Sequence, residues 1–126
     1  MTAKDTPEET LEFRPKYNAN GLIPCITTNK EGQVLMFAWM NAEALRKTLE
    51  TGEAYYWSRS RNELWRKGAT SGHVQKVIEM RIDCDQDCLL LTVEDVSAAC
   101  HTGRKTCFYR IVEKDGKGLK FTGEKK

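Results

Sequence analysis

Short apolar runs punctuated by polar turns dominate this chain, and one stretch alone repeats at helical spacing. "GLIPCITT" and "QVLMFAWM", residues 21–28 and 33–40, are apolar and β-branched or aromatic, and the turn residues "NKEG" separate them, which predicts a β-hairpin. Asn41 then precedes "AEALRKTLE", with Glu43 in the first turn and Gly52 past the end, so a capped helix is predicted over about residues 41–51. "EAYYWSRS" (53–60) reads as a strand running into a polar loop. After the loop, "VIEMRID" (77–83) places Ile78, Met80 and Ile82 on one side and Glu79, Arg81 and Asp83 on the other. "CLLLTV" (88–93) fits a buried strand, and "TCFYRIV" (106–112) a further one, with Phe108 and Val112 opposite Cys107, Tyr109 and Ile111. The expected fold class is α+β: a mostly antiparallel β-sheet with one main helix, in a single domain over 1–126, with residues 1–10 and 123–126 as polar, mobile tails.

Composition narrows the classes. A chain of 126 residues with a net charge of +2 is one domain's worth of core and no general polyanion binder. Its longest apolar run, "VLMFAWM", is far short of the roughly 20 residues of a membrane span, and residues 1–10 lack the pattern of a secretory signal, so a soluble, cytoplasmic protein is expected, with no membrane partner. Five cysteines, an odd number, argue against a disulfide framework and for reduced thiols. Cys25 in "LIPCITT" and Cys88 at the head of "CLLL" both fit the core.

Three stretches carry candidate chemistry. In "IDCDQDC" (82–88) a continued strand period throws Asp83, Asp85 and Asp87 onto one face and Cys84 onto the other. Such a row is either a solvated acidic turn or a seat for a hard cation such as Mg²⁺, which takes a few carboxylates and keeps several waters. Cys84, Cys100 and Cys107 lack the paired C-x-x-C spacing of closed zinc modules. They are core residues or else three ligands to a zinc whose fourth position holds an activated water, and His101, next to Cys100, is then the nearest proton acceptor. "YYWSRSRNELWRKGATSGH" (55–73) interleaves aromatics with Arg59, Arg61, Arg66 and Lys67, then supplies Thr70, Ser71 and His73. It suits a phosphorylated small molecule or stacked single-stranded nucleic acid, while Trp57 and Trp65 can equally be core anchors among solvated charges.

Taken together and in order, "SRSRNELWRKGATSGH", "DCDQDCLLL" and "ACHTGRKTCFYR" closely resemble the phosphoribosyl-AMP cyclohydrolases of histidine biosynthesis, over nearly the whole chain. The resemblance implies an intertwined homodimer that hydrolyses the N1–C6 bond in the adenine ring of N1-(5-phosphoribosyl)-AMP. It implies one Zn²⁺ per subunit on Cys84, Cys100 and Cys107, contributed by both chains, and Mg²⁺ on Asp83, Asp85 and Asp87. His101 and His73 are then expected to move protons, and Ser58, Arg59, Arg61, Lys67, Thr70 and Ser71 to grip the phosphates of a small nucleotide, with no nucleic-acid partner. The main rival is a single-stranded nucleic-acid-binding module with a structural zinc. A base deaminase shares the chemistry, yet its H-x-E and P-C-x-x-C signature is absent.

Overall fold

The computed structural model describes residues 6–69, 71–94 and 98–123. Strands β1 (Ile23–Thr28) and β2 (Val34–Met40) form the predicted hairpin. Its turn closes because Asn29 Oδ1 accepts the backbone N–H groups of Glu31 and Gln33, at 3.1 and 2.9 Å, while Gly32 takes a φ of 86°, which glycine adopts without steric cost. Helix α1 (Ala42–Thr51) starts where expected: Asn41 Oδ1 accepts the Ala44 N–H at 2.8 Å. Gly52 ends it in the left-handed conformation, donating to the Thr48 carbonyl at 3.0 Å. Thr48 also ties the helix to the next strand, because its Oγ1 donates to the Ala44 carbonyl and accepts the Tyr55 N–H at 2.9 Å.

Strand β3 (Tyr55–Ser58) is followed by a turn and a second strand, β4 (Glu63–Arg66), where the sequence reading placed only loop. Four residues at a sheet edge are covered on one side only, so Leu64 and Trp65 pack on the core without a longer apolar pattern to announce them. Strands β5 (Val77–Ile82) and β6 (Leu89–Val93) make another hairpin, and β6 lies parallel to β1, with Cys25 beside Leu89 and Thr27 beside Leu91. The sheet order is β4-β3-β2-β1-β6-β5, with every pairing but β1–β6 antiparallel. A bridge between Glu53 and Lys76, with Val77 N–H donating to the Gly52 carbonyl, draws its two ends together and curls it.

Two strand readings need correction. The register slips between Val77 and Glu79, a bulge that leaves Ile78 48 % exposed, so only Met80 and Ile82 of the predicted apolar face reach the core. Of "TCFYRIV" only β7 (Arg110–Val112) is strand, and it pairs with β8 (Leu119–Phe121), which the sequence did not announce, in a separate two-stranded sheet.

The core gathers Ile23, Leu35, Met40, Leu45, Leu89, Leu91 and Val93, and Cys25 is fully buried among them as expected. One polar chain crosses it. Tyr56 Oη donates to Gln75 Oε1 at 2.6 Å and lies 2.8 Å from Thr27 Oγ1, and Gln75 Nε2 reaches Met36 Sδ at 3.2 Å. The buried side chains of Thr27, Tyr56 and Gln75 thereby partner one another, which is the condition for tolerating them in the core.

Candidate active site

The aspartate run is a loop, because β5 stops at Ile82. No strand face presents Asp83, Asp85 and Asp87; the connection to β6 folds back on itself instead. Asp83 Oδ1 accepts the N–H groups of Asp87 and Cys88, at 2.9 and 3.1 Å, and the Gln86 N–H donates to the Asp83 carbonyl at 3.0 Å with Gln86 at a φ of 61°. This winding brings one oxygen from each carboxylate within 4.8 Å of the others, closer than the roughly 7 Å between alternate positions on a strand. Hydrogen bonds to Asp85 and Asp83 push the Asp87 carboxyl up to about 6. Desolvation works to raise Asp83 as well, but the N–H groups of Asp87 and Cys88 outweigh it and hold that carboxyl below its usual range. A trio of hard oxygen donors, exposed at Asp83 and Asp87 and half-buried at Asp85, suits a divalent cation.

Gln86 fastens this loop to the amino-terminal arm, a role that sequence reasoning missed. It is buried; its Nε2 donates to the carbonyls of Pro7 and Glu12, both at 3.2 Å, and its Oε1 accepts the Arg14 N–H at 2.7 Å. Its own carbonyl accepts the Lys16 N–H at 2.7 Å. The arm and the loop enclose a cleft of about 330 Å³ that Asp83 and the exposed Cys84 line.

The other two cysteines meet elsewhere. Ala99 and Cys100 pair with Lys105 and Arg104 across a tight turn, and Gly103 N–H donates to the Cys100 carbonyl at 3.0 Å. The chain then returns along β2, where Thr106 Oγ1 donates to the Val34 carbonyl at 2.7 Å and Cys107 N–H to that of Leu35 at 2.7 Å. The Cys100 and Cys107 thiols end within hydrogen-bond reach of each other, and Thr102 Oγ1 donates to Cys100 Sγ at 3.2 Å. Burial acts to raise the Cys100 thiol, but the bonds from Thr102 and Cys107 and the charge of Lys67 bring it below its ordinary value. Cys107, desolvated and facing Cys100, is pushed up to about 11. Among the described residues Cys84 does not join this pair within coordinating reach.

Around Cys100 lies a cleft of about 410 Å³ that Arg61, Trp65, Ser71, His73 and His101 share. Two loops deliver these groups. Gly68 turns the first with a φ of 88°, and a Cβ there would collide with the backbone of Val74, so both conformation and space require glycine. Ser71 Oγ then accepts the His73 N–H at 3.3 Å. Ser58 accepts the Arg61 N–H at 3.3 Å, and Arg59 lies 5.0 Å over the ring of Trp39. Lys67 is buried, donates through Nζ to the Ala99 carbonyl, and sits 5.2 Å over Trp65. Desolvation lowers its pKa, with Cys107 and Cys100 pulling the other way. Thr70, expected among the phosphate ligands, lies outside the described residues.

A family model described as phosphoribosyl-AMP cyclohydrolase matches residues 36–109, which hold every one of these side chains from Ser58 to Cys107. The chain belongs to the phosphoribosyl-AMP cyclohydrolase family. Curated relatives bearing that name agree over nearly the full length: one from Bradyrhizobium diazoefficiens is 60% identical over 90% of this chain and 81% of its own. Another from Hyphomonas neptunium is 59% identical over 93% and 88%, and one from Rhodopseudomonas palustris (strain BisB5) 58% over 92% and 80%. As a member of the cyclohydrolase family the protein is a hydrolase. No helix among its described residues is long and apolar enough to cross a membrane.

Proposed function

We propose that this protein hydrolyses the N1–C6 bond in the adenine ring of N1-(5-phosphoribosyl)-AMP, a step of L-histidine biosynthesis. One zinc ion per subunit is held by Cys100 and Cys107 of one chain with Cys84 of a second, and magnesium by Asp83, Asp85 and Asp87. The observation that carries the reading is the one cleft in which Cys100, its thiol close to that of Cys107, meets His101, His73, Arg61 and Ser71. Soft thiols at Cys100 and Cys107 and hard carboxylates on the aspartate loop suit these two metals. When bound, zinc supplies the acidity that makes water a nucleophile near neutral pH.

The chain's own groups complete the reaction. One water is consumed: its oxygen becomes the carboxamide oxygen on C6, one of its protons completes the amide on the exocyclic imino nitrogen, and the other ends on the departing N1. His101, exposed at the cleft, takes that proton from the attacking water and passes it to N1, with His73 on the same wall as second carrier. Arg59, Arg61, Ser58, Thr70 and Ser71 grip the phosphates, arginine through paired donors and the hydroxyls through single ones. Lys67 stands apart, its ammonium turned onto Ala99. Five free thiols suit a cytoplasmic setting, where they stay reduced.

Purified protein incubated with phosphoribosyl-AMP should show the ultraviolet change of ring opening and lose it in a zinc chelator. Cys100→Ser should lose its zinc and at least about two orders of magnitude in rate, since the attacking water would then lack the acidity that the ion would supply. Full turnover by a Cys100→Ser protein that retained its metal would reject this ligand set.

A further inference from the structure

We propose that Lys67 is a positioning residue of the thiol site: its buried ammonium holds segment 98–107 against the end of β4 and offsets the negative charge that three thiolates impose on a bound zinc. The inference rests on the zinc reading above. Its support is the placement of one side chain. Lys67 follows β4 directly, is 8 % exposed, and is fixed at its backbone by a bond from its N–H to the Ala54 carbonyl at 3.1 Å. Its stem carries Nζ across the Trp65 ring to the carbonyl of Ala99, the residue before Cys100. It does not line the cleft that Arg61 lines.

An ammonium has three donors, and burying one in this way costs several kcal/mol unless charge meets it. A single carbonyl is half an answer. Cys100 and Cys107 lie close enough to act on Lys67 electrostatically, and they supply the rest once they are thiolates. The exchange works in both directions. Zinc with three thiolates carries a net charge of −1 by ordinary ionic counting, and in a partly desolvated site one fixed cation restores neutrality. The same bond to Ala99 sets the direction from which Cys100 presents its sulfur. A lysine placed to hold a phosphate would instead extend from the rim with its ammonium in water.

The test compares zinc affinity, measured by competition with a chromophoric chelator, and steady-state kinetics for the full-length protein and its variants. Lys67→Met should bind zinc at least about tenfold more weakly and lose kcat at least about tenfold, with KM within about twofold; Lys67→Arg should recover most of the zinc affinity. Wild-type zinc affinity in Lys67→Met, or a raised KM with kcat intact, would overturn the proposal and return Lys67 to the phosphates. If circular dichroism shows that the methionine variant is unfolded, Lys67→Gln and Lys67→Arg decide the matter. Both can donate to Ala99 and only arginine is charged, so weaker zinc binding by glutamine supports the proposal and equal binding sinks it. A wild-type protein that bound no zinc would remove the underlying zinc reading, an outcome read before any variant is made.

Discussion

Cys25 and Cys84 show how environment divides one residue type into two chemistries. Cys25 sits at 0 % exposure between β2 and β6, and desolvation pushes its thiol up to about 12. Cys84 is exposed at the aspartate loop. Metal-free native protein treated with iodoacetamide at pH 8 should therefore be modified at Cys84 and spared at Cys25 until it is unfolded, as peptide mass analysis can show. Labelling of both at one rate would contradict the burial. The same shift makes alkali destabilising. Folded Cys25 keeps its proton while the unfolded thiol, with an ordinary value near 9.0, releases it, so stability is lost as pH rises from about 9 towards about 12. Tyr56, raised well above 10.0 by burial, acts in the same sense. Urea midpoints should fall across that window as the unfolding free energy drops by up to about 1.4 kcal/mol per pH unit for each such group. At this scale Cys25 was legible, because a free cysteine within an apolar run is ordinarily buried. Thr102 and Gln86 were not, since a hydroxyl or an amide finds its partner only after distant segments have met.

At the scale of elements, long patterns with marked ends were readable and short or unmarked ones were not. The β1–β2 hairpin and α1 carry Asn and Gly where their turn and caps need them. β4 and β8, four and three residues long, hold too few positions to establish a period. The aspartate loop misled for a different reason: it turns without a glycine. Gln86 occupies the left-handed position that glycine usually fills, and a strand period was therefore carried on through a bend. What holds Gln86 there is its set of bonds to the arm, through Pro7, Glu12 and Arg14. Gln86→Leu keeps the bulk and removes all three side-chain bonds, stranding partly buried backbone groups. The expected cost is about 2–4 kcal/mol in urea denaturation, from unsatisfied groups at about 1–3 each with partial rescue by water. The loop's affinity for Mg²⁺ or Mn²⁺ should fall with it, as isothermal titration can read, because three mutually repelling carboxylates are then held less firmly together. Unchanged stability and cation affinity would mean that the arm only covers the loop.

The molecule as a whole displays a surface that one chain does not explain. Phe108, Ile111, Val112, Leu119 and Phe121 are all between 46 % and 65 % exposed on or beside the β7–β8 hairpin. An isolated two-stranded hairpin is marginal in water, and exposed large apolar side chains gathered on one such hairpin are ordinarily covered. Cys84 is likewise separated from Cys100 and Cys107. The proposed sharing of thiols between two chains would account for both facts at once, since an isologous two-fold interface repeats every contact and so builds two equal sites. The residues alone supplied the cysteines but not their proposed distribution between chains, because spacing along one sequence carries no information about a second copy; that part of the proposal rests on the family resemblance. The consequence is testable by mixing. Cys84→Ser and Cys100→Ser homodimers should each be inactive, since every site in either lacks a ligand. Co-expressed in equal amounts, they pair at random, half the dimers are mixed, and in each of those one site has both substitutions and the other has neither. About a quarter of wild-type activity and zinc should return, a recovery that symmetric sharing requires. If all three thiols came from one chain, every site in the mixture would still lack one ligand, and no activity would reappear.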